Sequence, residues 1–336
     1  MKTPIALLVT DTHLSEHNVE LVTDIWRQAI DKCKELKLLQ IIFGGDFFHS
    51  RKGQPLATLK AAQNILMMLE NSDIKVTAIC GNHDKSAYDS KDSFVDIFDS
   101  EYFNVVNEYR KVKYGNIIVH LLPYFKESGS YLERLENINT TDGFKNILIT
   151  HIAINGSITN DNEHISNCIP SSEFDRFDLA ISGHFHNRQE FENIVYMGSA
   201  YQANYGEDDS KGFTVLHDDG SYEFTQAKFP KYIKKTIEID QLHDLMIDSE
   251  LLHLSEDNHV RVELTGNSEQ LKSFNRSILS DLGIDSVLKP HGAIESLKDC
   301  NVTSHDKESI RGAFKSFCEE IKVEQTNYAI EKLEEI

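Results

Sequence analysis

Short apolar runs that each stop at a small polar motif recur along the chain, and this habit limits the folds open to it. Ile5 to Thr10 runs into Asp11-Thr12-His13, and Leu38 to Phe43 into Gly44-Gly45-Asp46-Phe47-Phe48-His49. Ile74 to Ile79 runs through Cys80 into Gly81-Asn82-His83-Asp84. Apolar runs of this length, without polar alternation, read as strands buried on both faces. Between them, Leu21, Val22, Ile25, Trp26, Ala29, Ile30, Cys33 and Leu36 recur at helical spacing. A segment led by Pro55 puts Leu59, Ala62, Ile65, Leu66 and Leu69 on one helical face. The order βαβαβ predicts an α/β layered fold, in which ligands collect at the carboxyl ends of the strands.

The pattern continues. A short helix is predicted at Phe94 to Phe98, strand character in Val112 to Tyr124, and a short helix at Tyr131 to Leu135. Asn146 to Thr150 is a strand ending at His151, and Asp178 to Ser182 one ending in Gly183-His184-Phe185-His186. Asn193 to Gly198, Gly212 to His217 and Tyr222 to Thr225 are predicted strands, the last two joined by a turn at Asp218-Asp219-Gly220. Composition shifts near Lys228-Phe229-Pro230-Lys231. Strands at Ile233 to Ile239, Val260 to Leu264 and Ser286 to Lys289, with a helix from Ser268 to Leu282, then predict a small α/β unit of roughly 60 residues. From Lys307 the pattern is helical and acidic, with Ile310, Phe314, Phe317, Ile321, Tyr328, Ile330 and Leu333 as its apolar face. Three parts are expected: residues 1–230, 231–292 and 293–336.

The 336 residues suffice for about two domains. With 40% hydrophobic and 26% charged residues the composition is that of a soluble globular protein, and no apolar run reaches membrane-spanning length. The first apolar run ends at Asp11 without a small-residue cleavage pattern, so it reads as a strand and not as a signal peptide. The five cysteines (Cys33, Cys80, Cys168, Cys300, Cys318) are scattered, odd in number and without a C-x-x-C pair. That points away from a disulfide framework or thiolate zinc site and towards a reducing cytosol. The net charge of −20 means that no polyanion is attracted by the overall field. A nucleic acid would need bound metal ions, a partner subunit or a local basic patch such as Arg51-Lys52 or Lys228, Lys231, Lys234 and Lys235.

Each strand-end motif has an ordinary reading. Asp11 suits a helix N-cap, Asp46 and Gly81-Asn82 suit turns, and His151 suits a satisfied core histidine. Gly-His-x-His is stronger, because alternating residues of an extended segment face the same way. Together the motifs collect two aspartates, an asparagine and several histidines at strand ends. Oxygen and imidazole donors without thiolate suit Mn²⁺, Fe²⁺ or Zn²⁺. Two such cations about 3.5–4 Å apart, sharing a carboxylate, clamp a phosphate and activate a water.

In identity and order the five motifs resemble those of the calcineurin-like metallophosphoesterases, across residues 11 to 186. The resemblance implies a four-layer α-β-β-α sandwich carrying the small α/β cap and the helical C-terminal tail. It implies Asp11, His13 and His186 on one metal, Asn82, His151 and His184 on the other, and Asp46 as the bridge. It implies that His83 protonates the leaving oxygen or stabilises charge on the phosphoryl group, and that Asp84 orients His83. More narrowly, Gly45-Asp46-Phe47-Phe48-His49-Ser50-Arg51-Lys52-Gly53-Gln54-Pro55, Tyr196-Met197-Gly198-Ser199-Ala200 and Lys211-Gly212-Phe213 resemble segments of the SbcD-type DNA double-strand-break repair nucleases. His151-Ile152-Ala153-Ile154-Asn155-Gly156 and the chain length resemble the small nuclease subunits of phage recombination complexes. On that resemblance the chain is an exo- or endonuclease on DNA using a hydroxide activated by two metals, Mn²⁺ first, with Fe²⁺ or Zn²⁺ as alternatives. His49 would position the scissile phosphate and residues 231–292 would face DNA. The tail would dock on an SMC-like coiled-coil ATPase of the SbcC type, and a homodimer stays open. One departure is the loop after Leu14: Ser15-Glu16-His17 leads almost directly into a helix, where the family often has a longer, arginine-bearing loop. A phosphodiesterase for a small substrate such as a cyclic nucleotide, and a non-catalytic scaffold, are the rival readings.

Overall fold

Alternation along the strands decides the layers. In β1 (Pro4–Val9) Ala6 and Leu8 face one side and Leu7 and Val9 the other, and all four are buried. A strand buried on both faces must be covered twice. The computed structural model, which describes residues 2–160, 163–242 and 250–291, shows how. β1, β2 (Gln40–Phe43), β3 (Lys75–Ile79) and β4 (Phe103–Val106) pair in parallel. In a second group lie β5 (Arg110–Tyr114), β6 (Ile117–Leu122), β7 (Lys145–His151), β8 (Leu179–Gly183), β9 (Gln189–Phe191) and β10 (Ile194–Tyr196). There β6, β7, β8 and β10 pair in parallel, with antiparallel β5 and β9 at the edges. β11 (Gly212–His217) returns antiparallel to β1 and pairs with β12 (Tyr222–Gln226). Among the described residues these make two six-stranded sheets, ordered β12-β11-β1-β2-β3-β4 and β5-β6-β7-β8-β10-β9.

The sheets pack face to face. Ala6, Leu8, Ile42 and Ile79 from one meet Val119, Leu121, Ile147, Ile149 and Ile181 from the other. The outer face of the first sheet (Leu7, Val9, Ile41, Phe43) is covered by α1 (Val19–Leu36) and α2 (Leu56–Asn71) through Trp26, Ile30, Ile65 and Leu69. The outer face of the second (Leu122, Leu148, Ala180) is covered by Tyr131, Phe174 and α3 (Leu132–Glu136). The result is an α-β-β-α sandwich. The carboxyl ends of β1, β2 and β3 lie beside those of β7 and β8, because His151 meets the carbonyl of Gly44 and the His184 N–H meets Asp11.

The chain divides into two compact units, Met1–Tyr232 and Ile233 onward. The second holds β13 (Tyr232–Glu238), α4 (Glu250–Asp257), β14 (His259–Gly266), α5 (Ser268–Ser273), α6 (Ser277–Ser280) and β15 (Asp285–Pro290), in sheet order β13-β14-β15. Its own core is built on Ile237, Val260, Val262, Leu264, Leu271 and Leu279. The single helix expected from Ser268 to Leu282 is broken. Phe274 is extended (φ −71°, ψ 125°), and the Asn275 carboxamide accepts the Ser277 N–H at 3.1 Å, a local alternative to the helix. The strand expected at Asn193 to Gly198 is the second arm of a β9–β10 hairpin. The expected tail, 293–336, lies outside the described residues. Among the described residues no helix is long and apolar enough to cross a membrane, and Cys33, Cys80 and Cys168 are free.

Trp26, the single tryptophan, is buried against the first sheet, so its fluorescence reports on this unit. Ile149→Ala, fully buried between the sheets, is expected to lower its stability by about 2–5 kcal/mol in a denaturant titration. Leu39→Ala, at a residue 63% exposed, is expected to change it by less than about 0.5 kcal/mol.

Candidate functional site

Two strand-end loops build the floor. Residues 11–14 and 45–49 run side by side, braced by Asp11 N–H to Gly45 O (3.0 Å), His13 N–H to Asp46 O (3.0 Å), Leu14 N–H to Phe47 O (2.7 Å) and His49 N–H to Leu14 O (3.1 Å). The bracing holds backbone that L residues rarely adopt. Asp11, His13, Asp46 and His184 have φ of 52°, 42°, 57° and 89°. Left-handed non-glycine residues cost of order 1–3 kcal/mol each and persist only where the surroundings over-determine them. Their clustering here marks this as the place where conformation serves something other than stability.

The side chains of all seven expected ligands converge above that floor. His13 Nε2 lies 3.0 Å from His186 Nε2 and 3.7 Å from Asp11 Oδ1. His151 Nε2 lies 3.1 Å from Asn82 Oδ1, which is 3.0 Å from His184 Nδ1. Asp46 stands between the two groups, with Oδ2 at 3.6 Å from His13 Nε2 and 3.3 Å from His151 Nε2. Its Oδ1 accepts the His83 backbone N–H at 2.8 Å. Two ring nitrogens at 3.0 Å have lone pairs facing each other unless a cation or proton sits between. Ligands about 2.1 Å from one ion are separated by about this much. The donor set therefore fits the divalent metals that this arrangement calls for.

Charge makes the same demand. Burial alone would raise Asp46, but His151 and His13 outweigh it and hold the carboxyl far below the ordinary carboxylate range. Burial alone would lower His151, yet Asp46 and Asp11 carry it up to about 9. Burial, helped by His151, drives His184 down to about 4. The buried carboxylates thus favour positive charge at His151, and a divalent cation held here would supply that charge in place of a proton.

His83 and His49 flank the cup. The ring of His83 is 4.8 Å from that of His13 and 5.8 Å from that of His49, centroid to centroid, and His49 is exposed. His83 Nδ1 donates to the His49 carbonyl (2.6 Å), which leaves Nε2 as its free nitrogen. Burial lowers the pKa of His83. Asp84 does not hold this ring, contrary to the sequence expectation. Its Oδ1 accepts the Phe48 N–H (3.0 Å) and its Oδ2 the Gly81 N–H (2.9 Å). It ties the β2 and β3 loops together through their backbones, and burial pushes its carboxyl up to about 7. Gly183-His184-Phe185-His186 is not the extended segment expected from its alternating histidines. The segment is a turn and not a strand: His184 is left-handed, and Phe185 between the histidines is buried against Tyr196.

Sequence reasoning missed Glu207, whose Oε1 lies 2.7 Å from His186 Nδ1. It sits in a Gly-Glu-Asp-Asp loop that reads as an ordinary acidic turn. Its nearest sequence signal was the Lys211-Gly212-Phe213 segment that follows.

The model of one family, calcineurin-like phosphoesterase, matches residues 6–188. The chain is 24% identical over 293 residues to a protein of Invertebrate iridescent virus 6 named as phosphoesterase 244L, a match spanning 81% of this chain and 97% of that one. It is 26% identical over 194 residues to exonuclease subunit 1 of Enterobacteria phage T4, a match spanning 56% of each chain. Among solved structures, a dimetal phosphatase from Danio rerio superposes with a TM-score of 0.43 at 12% identity, covering 64% of this chain and 93% of that one.

A Cβ at Gly81 would fall 2.1 Å from Asp46 Oδ1 and 2.4 Å from Asp46 N. Gly81→Ala is expected to displace Asp46, cost about 1–3 kcal/mol, and lower the bound-metal content measured by mass spectrometry. Gly53→Ala, where a Cβ meets nothing within 4 Å, should leave both unchanged.

Proposed function

The chain belongs to the calcineurin-like phosphoesterases, and from that premise we propose that it is a metal-dependent DNA phosphodiesterase working as the nuclease subunit of a repair or recombination complex. The observation that carries the reading is the convergence of Asp11, His13, Asp46, Asn82, His151, His184 and His186 in one cup, with His83 at its edge. These residues would hold a divalent pair, Mn²⁺ in the first instance and Fe²⁺ or Zn²⁺ as alternatives, which would supply Lewis-acid polarisation of the phosphate and a more acidic water. Asp46 holds negative charge between the two donor groups. His83, with its Nδ1–H occupied by the His49 carbonyl, offers Nε2 to carry the proton to the leaving oxygen. His49 stands at the exposed side, and contact with the phosphate is the role assigned to it in this reading.

Support for a nucleic-acid substrate comes from two sides. One relative is named an exonuclease subunit, which also supports a partner chain. Beside the cup, Arg51 lies 3.8 Å over the exposed ring of Tyr88, Tyr88 stands edge-on to Tyr124 at 5.4 Å, and Tyr124 is 6.5 Å from His151. Tyr124 is buried and backs Tyr88 from inside, so the surface that a base and its phosphate would meet is the exposed Tyr88 ring with the Arg51 guanidinium over it. With a net charge of −20, such a local grip and a partner must replace attraction by the whole protein. The SMC-like coiled-coil ATPase remains the partner we propose, with the C-terminal segment 293–336 as its dock and 231–292 as the DNA-facing cap.

The test is Mn²⁺-dependent digestion of linear DNA. His83→Ala is expected to slow it about 10²–10⁴-fold while the metal content stays at the wild-type level. Asp46→Ala should remove both metal and digestion. A wild-type protein that turns over cyclic nucleotides well and leaves DNA intact, even with its ATPase, contradicts the nuclease reading. Arg51→Ala combined with Tyr88→Ala should lose about tenfold or more on DNA and distinctly less on a small aryl phosphodiester.

A further inference from the structure

A histidine can present Nε2 as a ligand only if its proton sits on Nδ1, and something must hold it there. His151 has the Gly44 carbonyl, at 2.8 Å from Nδ1. His186 has a full carboxylate, Glu207 Oε1 at 2.7 Å. Glu207 is almost wholly enclosed, with 1% of its side chain exposed, and a buried carboxylate is expensive unless every oxygen is answered. Here both oxygens are. Oε1 also takes the Asn204 amide (3.2 Å), and Oε2 takes the Ala203 N–H (3.0 Å) and faces Lys211 Nζ at 3.5 Å. Lys211, equally enclosed, donates to the backbone carbonyl of His186 (2.5 Å) and to Asn187 Oδ1 (2.9 Å). The buried pair therefore grips His186 twice, by its ring through Glu207 and by its carbonyl through Lys211. An ion pair that only stitched the 202–211 loop would need neither contact.

We propose that Glu207 is a positioning residue: it holds His186 in the Nδ1–H tautomer and so turns a bare Nε2 towards the ion shared with Asp11 and His13. The proposal rests on the metal pair of the preceding section. It makes the two halves of the centre unequal. The His186 half is backed by a charged acceptor. The His151 half is backed by a neutral carbonyl.

The experiment uses the full chain stripped of metal and titrated calorimetrically with Mn²⁺ alone. Wild type is expected to bind two ions, and Glu207→Gln to weaken one of them about 10–100-fold while the other keeps its affinity. Trp26 fluorescence melting checks that the variant is folded. Independently of any variant, long-range ¹H–¹⁵N spectra of the wild-type imidazoles, with His186 assigned through His186→Gln, should show its proton on Nδ1. A proton on Nε2 overturns the proposal even if Glu207→Gln fails to fold. Equal Mn²⁺ affinities in wild type and a folded Glu207→Gln overturn it too, and leave the metal reading standing. A wild type that binds no Mn²⁺ removes both.

Discussion

The organising constraint is electrostatic: Asp46 keeps its charge in a place where water barely reaches. It is 2% exposed, one of its oxygens takes a backbone N–H from the β3 loop, and the other looks into a ring of imidazoles. A carboxylate so placed is stable only beside positive charge. His151, 3.3 Å from Asp46 Oδ2, is the nearest group able to carry it, and the two carboxylates raise its pKa. The ring nitrogens of His13 and His186, 3.0 Å apart, need a proton or a cation between them, and on the reading proposed above a cation would serve both demands. Buried like-charged and like-polar groups are thus crowded together in a way that a bound divalent cation would relieve.

The sandwich makes that crowding tolerable. Two apolar sheets locked face to face deliver loops from five strand ends to one edge, at positions fixed by packing that cannot easily yield. Left-handed backbone at Asp11, His13, Asp46 and His184 is then held by cross-loop hydrogen bonds. Asp84 acts on the same level. Its two oxygens lash Phe48 to Gly81, so the loops that carry Asp46 and Asn82 cannot part. Missing Cβ atoms matter as much: at Gly183 one would come 2.3 Å from Thr10 Oγ1, so only glycine lets β8 come this close to β1.

The strands that carry the donors were legible in the sequence because burial on both faces leaves an unbroken apolar run, and the change to polar residues marks the strand end. The motifs at those ends carried the family resemblance, and it is the resemblance that singled out the seven side chains found together in the cup. Elements held by weaker signals were missed. β4 is four residues at a sheet edge, too short for a periodicity, and α4 is a short helix in a polar stretch. The helix expected from Ser268 to Leu282 failed because Asn275 offered the backbone a competing hydrogen bond. The partners of the donors were beyond reach for a different reason. Glu207 lies 21 residues past His186 in sequence, and adjacency said that Asp84 should serve His83, whereas only the fold shows that it serves two backbone amides. A residue type announces that it can bind; who orients it is a matter of tertiary structure.

The account stands or falls on whether this cup holds a pair of ions. The most direct measurement is anomalous diffraction at the manganese edge from a crystal of the full chain soaked in Mn²⁺. Two peaks about 3.5–4 Å apart are expected, one among Asp11, His13 and His186, the other among Asn82, His151 and His184, with Asp46 touching both. No peak in the cup, or a single peak away from Asp46, would contradict it.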